Sequence, residues 1–205
     1  DAVDACTKYG KDGGAYLDEL AALLEKVTTE ARAIGIVDEV QLAKIAKNTA
    51  EAVNNGSKLT KPTLPEGGTP RGTKEVPDIN DIRPKELQNE AADLLANKGY
   101  DIEMLPEKIG GNGHGVTSGS NPDYLIDGEA FDCYSPKKDT PVRNIWSTVK
   151  AKTETQAKRI ILNLDDYSGS LDDIAIQFYT YKQDLTTLEE LIVIKNGKVC
   201  RLIVN

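Results

Sequence analysis

Apolar residues recur at helical spacing in "YLDELAALLEKVTTEARAIGIVDEVQLAKIAKNTAEAV", with Leu17, Leu20, Leu24 and Val27 on one stripe. This predicts two or three short helices within residues 1–56. The pattern then breaks: "SKLTKPTLPEGGTPRGTKEVPDINDI", residues 57–82, carries Pro62, Pro65, Pro70 and Pro77 with Gly67, Gly68 and Gly72. These residues argue against a continuous helix or central strand there, and the segment reads as a linker. Beyond it "PKELQNEAADLLANKG" predicts a helix starting near Pro84, with Leu87, Ala91, Leu94 and Leu95 apolar, and stopping at Gly99. Strand-like "YLID" and "EAFDCY" follow, then a helix in "VRNIWSTVKAKT", a buried strand in "RIILNL" and a helix in "SLDDIAIQFYTY". A final hairpin, "ELIVIKNGKVCRLIVN", turns at Asn196-Gly197. The order αββαβαββ predicts an α/β (mixed α+β) fold, a central mixed sheet flanked by helices and preceded by a small helical N-terminal region. Three parts result: 1–56 helical, 57–82 linker, 83–205 the main domain.

Composition narrows the chemistry. No run among the 205 residues approaches the roughly 20 apolar residues that span a bilayer, so no stable membrane insertion is expected of this segment. The chain starts at Asp1 and its one methionine is Met104, which suggests a piece of a longer polypeptide without its own signal peptide. Cys6, Cys133 and Cys200 match neither a disulfide framework nor a zinc site and are expected to be reduced and mostly buried. With His114 the one histidine, multi-histidine metal ligation is impossible. A net charge of −8 argues against a generic nucleic-acid coat. Residues 137–159 nonetheless hold seven bases (Lys137, Lys138, Arg143, Lys150, Lys152, Lys158, Arg159) against two acids, Asp139 and Glu154. A polyanion could dock there, and a solvated helix face explains the same charges.

Carboxylates are the better candidates. In "NPDYLIDGEAFDCY" Asp127-Gly128 suits the centre of a type I′ hairpin, because both positions need positive φ. Counting outward sets Ile126 opposite Glu129, Leu125 opposite Ala130, Tyr124 opposite Phe131 and Asp123 opposite Asp132. Facing Cβ atoms lie about 4.5 to 5.5 Å apart, where like charges destabilise the pair. A divalent cation such as Mg²⁺, which takes one or two protein carboxylates, would compensate; a wet sheet edge or another register is the bland alternative. Glu90 borders its helix's apolar stripe, roughly 85° from the centre, and could reach the sheet or be an ordinary boundary glutamate. Lys150 and Lys152 flank the Ile145, Trp146, Val149 stripe on opposite sides. Either could set an ammonium beside a phosphate, and either could be solvated. Together these residues suit phosphodiester cleavage: a cation polarises a phosphoryl oxygen and acidifies an attacking water or hydroxyl, and lysine stabilises the developing charge.

Glu90 together with "NPDYLIDGEAFDCYSP", "VRNIW", "TQAKRIILNLDD" and "LEELIVIKNGKV" resembles the C-terminal tRNA-nuclease domain of contact-dependent growth inhibition (CdiA) toxins, a branch of the PD-(D/E)XK nuclease-like fold. The resemblance covers about residues 84–205. It implies Glu90, Asp123 and Asp132 as the metal-binding catalytic carboxylates with Mg²⁺ or another divalent cation. The usual acid-x-lysine triplet is absent, since Cys133 and Tyr134 follow Asp132, so the resemblance puts the lysine on the next helix, Lys152 in preference to Lys150. It further implies a tRNA substrate, a cognate immunity protein and surface presentation as the C-terminal part of a larger protein. Action in the neighbouring cell's cytoplasm follows, with residues 1–56 as a delivery region; a host factor is left open.

Other residues carry weighed readings. His114 lies in the Gly-rich "GGNGHGVTSGSNP", which is no phosphate loop because no Gly-Lys-Ser/Thr follows. It is a candidate substrate contact or a plain loop histidine. Arg143, Gln156 and Lys137 are candidates for phosphate or base contacts, and Trp146 reads as core. Two rival functions stay open: a DNase with the same site, and a non-catalytic module that binds a protein through its acidic surface.

Overall fold

Asp127 (φ 50°) and Gly128 (φ 83°) both take the left-handed conformation that a two-residue type I′ turn requires. The chain therefore reverses there, and Ile126 pairs with Glu129, Leu125 with Ala130 and Tyr124 with Phe131, as the sequence predicts. Asn196 (φ 52°) and Gly197 (φ 67°) build a second such turn. The computed structural model describes residues 59–77 and 82–202, so the helices expected in 1–56 lie outside the described residues.

Seven strands and three α-helices are described: β1 (Arg71–Gly72), α1 (Ile82–Asn97), β2 (Ile102–Met104), β3 (Tyr124–Ile126), β4 (Glu129–Tyr134), α2 (Val142–Thr155), β5 (Arg159–Asn163), α3 (Leu171–Thr180), β6 (Glu190–Lys195) and β7 (Lys198–Arg201). They form a single sheet whose spatial order is the chain order. Strands β2, β3 and β4 are an antiparallel meander; β4, β5 and β6 run parallel, joined through α2 and α3, because a parallel pair needs a long crossover. All five residues of β5 are buried, as suits a parallel strand covered on both faces.

Period-two alternation divides the core. Ile160, Leu162, Leu191 and Val193 pack under α2 and α3 with Ile145, Trp146, Val149 and Phe178. Ile161, Ile192 and Ile194 face the other way, onto Ala91, Leu95, Tyr124 and Phe131 beside α1. The fold is the predicted mixed α/β one, with two strands added to the order read from the sequence. Strand β2 is three residues long and β1 only two, too short to show a period.

The Pro/Gly-rich segment lies against the sheet. Residues 71–72 form an edge strand beside β2, and a side chain at Gly72 (φ 78°) would collide with the Met104 carbonyl. Glu190, with 1% of its side chain exposed, anchors the start of the segment. Its Oε1 accepts from Thr60 Oγ1 at 3.0 Å and from Arg201 Nε at 2.7 Å; its Oε2 accepts from Arg159 Nη1 at 3.0 Å and from the Thr60 N–H at 3.2 Å. The Thr60 carbonyl accepts from Arg201 in turn. Asp127 extends the attachment, accepting from Thr63 Oγ1 at 3.0 Å and the Lys61 N–H at 3.3 Å. Cys133 is a free thiol, as expected, but Cys200 is disulfide-bonded, against the expectation. It lies part-exposed on the terminal edge strand β7, where a second cysteine can approach it.

Candidate active site

The Asp127-Gly128 turn carries two aspartates at the far end of its strands, and the ladder ends at Tyr124, one residue short of pairing them. The Asp123 N–H donates to the Phe131 carbonyl at 3.0 Å, and the Asp123 carbonyl accepts from Leu105 N–H at 2.9 Å. Its carboxylate reaches across to β4, where Oδ2 accepts from the Cys133 N–H at 2.6 Å. Oδ1 accepts from Gln88 Nε2, on α1, at 2.8 Å. Asp132 is 3% exposed, and its Oδ2 lies 2.5 Å from Lys152 Nζ on α2. The site thus lies where one end of the hairpin meets helices from both sides of the sheet.

Electrostatics couple the three groups. Burial and then the charge of Asp132 push Asp123 up to about 8, although the Cys133 N–H and Lys152 oppose the shift. Asp132 is also raised by burial, with Lys152 opposing through charge and hydrogen bond. Burial works to lower Lys152, yet Asp132, with Asp123 behind it, outweighs this and holds the ammonium firmly charged. Asp123 and Asp132 are the two carboxylates that could hold a Mg²⁺-type cation, an ion that takes one or two of them, and they are near enough for the charge of Asp132 to raise Asp123. Among the described residues no group of three or more His, Cys, Asp or Glu side chains suitable for a metal is brought together.

Glu90 is not drawn onto the aspartates. Its Oε1 accepts from Arg83 Nη1 at 2.8 Å, and Arg83 also grips Asp166 with Nε at 2.7 Å and Nη2 at 2.8 Å. The reason is the rotation of α1. Ala92 and Ala96 are buried while Leu94 is only partly so, which turns the buried face toward Gln88 and away from Glu90. Lys150 pairs with Glu154 at 2.5 Å along the exposed side of α2. Arg143 lies over the rings of Trp146 (4.4 Å) and Tyr181 (5.0 Å), and Trp146 is core, 4% exposed. His114 and Lys137 are exposed loop residues; the His114 N–H donates to Asn112 Oδ1 at 3.3 Å.

Gln156 proves to be a bracket. Its Oε1 accepts from the Asn121 N–H at 3.2 Å, and its carbonyl accepts from Val116 N–H at 2.9 Å. The neighbouring Thr155 carbonyl accepts from Ser120 Oγ at 2.6 Å, Thr117 N–H at 3.1 Å and Thr117 Oγ1 at 3.2 Å. The Gly-rich loop therefore ties the end of α2 to the residues just before Asp123. Sequence reasoning missed Gln88, the Cys133 N–H and Glu75. The last pairs with Lys85 at 2.6 Å and adds, weakly, to the charge raising Asp123.

Residues 120–199 match the contact-dependent growth inhibition CdiA C-terminal domain. A solved CdiA-CT/CdiI toxin and immunity complex from Burkholderia pseudomallei aligns at TM-score 0.54 and 34% identity, over 65% of this chain and 98% of that one. The chain belongs to the CdiA C-terminal toxin-domain family. A curated relative of this CdiA family, tRNA nuclease CdiA-2 of B. pseudomallei strain 1026b, is 31% identical over 175 residues, 78% of this chain. The chain spans 5% of that relative's length. Among the described residues of this CdiA domain no helix is long and apolar enough to cross a membrane.

Proposed function

We propose that this domain is an antibacterial toxin, a metal-dependent endonuclease that cleaves tRNA and is neutralised by a cognate immunity protein. The observation that carries the reading is the Asp123, Asp132, Lys152 cluster, acids from a hairpin and a lysine from the following helix. Support comes from the curated relative, which is named a tRNA nuclease, and from the solved relative, which is a toxin and immunity complex. On this reading the cluster is a PD-(D/E)XK-like site whose lysine would come from α2.

Asp123 and Asp132 would hold the cation, with Glu90 joining only if Arg83 releases it. A bound Mg²⁺ would supply Lewis acidity at a phosphoryl oxygen and acidify an attacking water or hydroxyl. Lys152, kept charged by Asp132, would stand beside the phosphate and stabilise its developing charge. Lys137, Arg143 and the tip of the His114 loop are left to contact the RNA away from the reacting phosphate. Gln156 is already committed to Asn121 and is not among these contacts. Residues 1–56 would serve delivery of a domain displayed at the C-terminus of a larger surface protein, for action in the target-cell cytoplasm.

The test is cleavage of total tRNA and of plasmid by purified protein, with Mg²⁺ and with EDTA. Wild type should cut tRNA in Mg²⁺ alone, and Asp123→Asn and Asp132→Asn should not, while keeping native circular dichroism. Plasmid cleavage in place of tRNA cleavage would make the domain a DNase. Full activity in either variant would remove this site from consideration.

A further inference from the structure

Gln88 stands where the sequence suggested an acid, and it is held at both ends. Its side-chain Nε2 donates to Asp123 Oδ1 at 2.8 Å. Its main-chain carbonyl accepts from the buried Tyr124 hydroxyl at 2.7 Å, and the preceding carbonyl, of Leu87, accepts from Asn163 Nδ2 at 3.0 Å. Those carbonyls belong to the interior of α1, so the two extra donors, one from β3 and one from β5, fix the helix's rotation against the sheet. With that rotation set, the amide can reach only a small region, and Asp123 occupies it.

We propose that Gln88 is the positioning residue of this site, an amide that aims the Asp123 carboxylate and makes α1 part of the nuclease machinery. The inference rests on the nuclease reading above. Each oxygen of Asp123 then has its own donor, Oδ1 from Gln88 and Oδ2 from the Cys133 peptide, so the carboxylate plane cannot turn. A carboxylate held by one donor rotates about its Cβ–Cγ bond, whereas one held at both oxygens presents the same lone pairs in every molecule. An amide suits the task better than the expected acid, because it donates without adding a third negative charge. A lysine there would instead form an ion pair with Asp123 and draw it from a cation.

The experiment compares Gln88→Leu and Gln88→Met with wild type. Removing a group that orients a metal-binding side chain typically costs 10- to 100-fold in activity or affinity. Both variants should lose about that much in kcat on tRNA, with KM for tRNA within about twofold and a melting temperature lowered by only a few degrees. Gln88→Met keeps the length of glutamine with neither a donor nor a charge, so it covers the case in which Leu disturbs folding. A readout free of cation and substrate is the ¹³C carboxyl resonance of Asp123, which should move in both variants while that of Asp132 stays. Glu190→Gln is the control for a merely structural contact, and it should lower the melting temperature with kcat held within a few-fold. A kcat within twofold of wild type, or a loss that tracks a fall in melting temperature, would overturn the assignment. If Asp123→Asn is inactive while Gln88→Leu is fully active, Gln88 alone falls; if Asp123→Asn is active, the nuclease site falls with it.

Discussion

Lys152 Nζ and Asp132 Oδ2 stand 2.5 Å apart, the lysine on the last turn of α2 and the aspartate 3% exposed in the middle of β4. Breaking a buried pair from one side leaves the other charge stranded, at a cost of about 3 kcal/mol. Lys152→Met should therefore lower the melting temperature by roughly 10 °C and abolish tRNA cleavage. Adding Asp132→Asn should restore part of the stability and none of the activity. Lys150→Met, which removes only an exposed pair with Glu154, should stay within about twofold of wild type in rate. Melts and cleavage assays on the four proteins decide this.

Asp123 gives the cation-free protein a distinctive pH response. Its carboxyl is pushed up to about 8 by burial and by Asp132, whereas an unfolded aspartate titrates near 3.9. The native state therefore binds the extra proton between those values. Its contribution to stability is complete below about 4 and is lost as pH rises through about 8. Melting temperature in EDTA should fall from pH 5 to pH 9, Asp123→Asn should flatten the profile, and Mg²⁺ should recover stability at the alkaline end. A flat wild-type profile in EDTA would contradict the buried coupling.

Glu190 is the anchor of the proline-rich segment. Glu190→Gln removes the buried counter-charge that Arg159 and Arg201 share, Arg159 keeping its more exposed partners Glu129 and Glu189, and should cost about 2 kcal/mol. Because the network also fastens Thr60, protease should cut the variant within residues 60–70 well before wild type. Limited proteolysis with mass spectrometry reads this out. Equal cutting rates would mean that the segment is held by its other contacts.

Cys133 offers a chemical probe of the same region. Burial, and then the charge of Asp123, push its thiol up to about 12, so little thiolate exists at neutral pH. Iodoacetamide should label it at least 100-fold more slowly in the native than in the urea-unfolded protein, and Asp123→Asn should narrow the gap.

The parts that were legible in the sequence are those set by local chemistry. Asp127-Gly128 and Asn196-Gly197 announced their turns because few residues accept positive φ, and a fixed turn fixes the register around it. The misjudged part was the rotation of α1. A wheel weighted by large side chains follows Leu94, whereas Ala92 and Ala96 are the residues that let α1 lie close on the sheet and so bring Gln88 to Asp123. Lys150 and Lys152 flank the apolar stripe of α2 at similar angles, so only the position of β4 separates them. The course of residues 60–72 was hidden for another reason: Thr60 is held by Glu190, 130 residues away, and composition shows a loss of regular structure without showing what lies beneath it.

Helices ordinarily fray at their ends, and Lys152 sits in a final turn where thermal opening would swing its ammonium over several ångströms. Three donors converging on the Thr155 carbonyl, all supplied by the glycine-rich excursion ahead of β3, suppress that opening. The loop that looks most pliant in the sequence thus acts as a damper, quieting the lysine so that its ammonium stays beside Asp132.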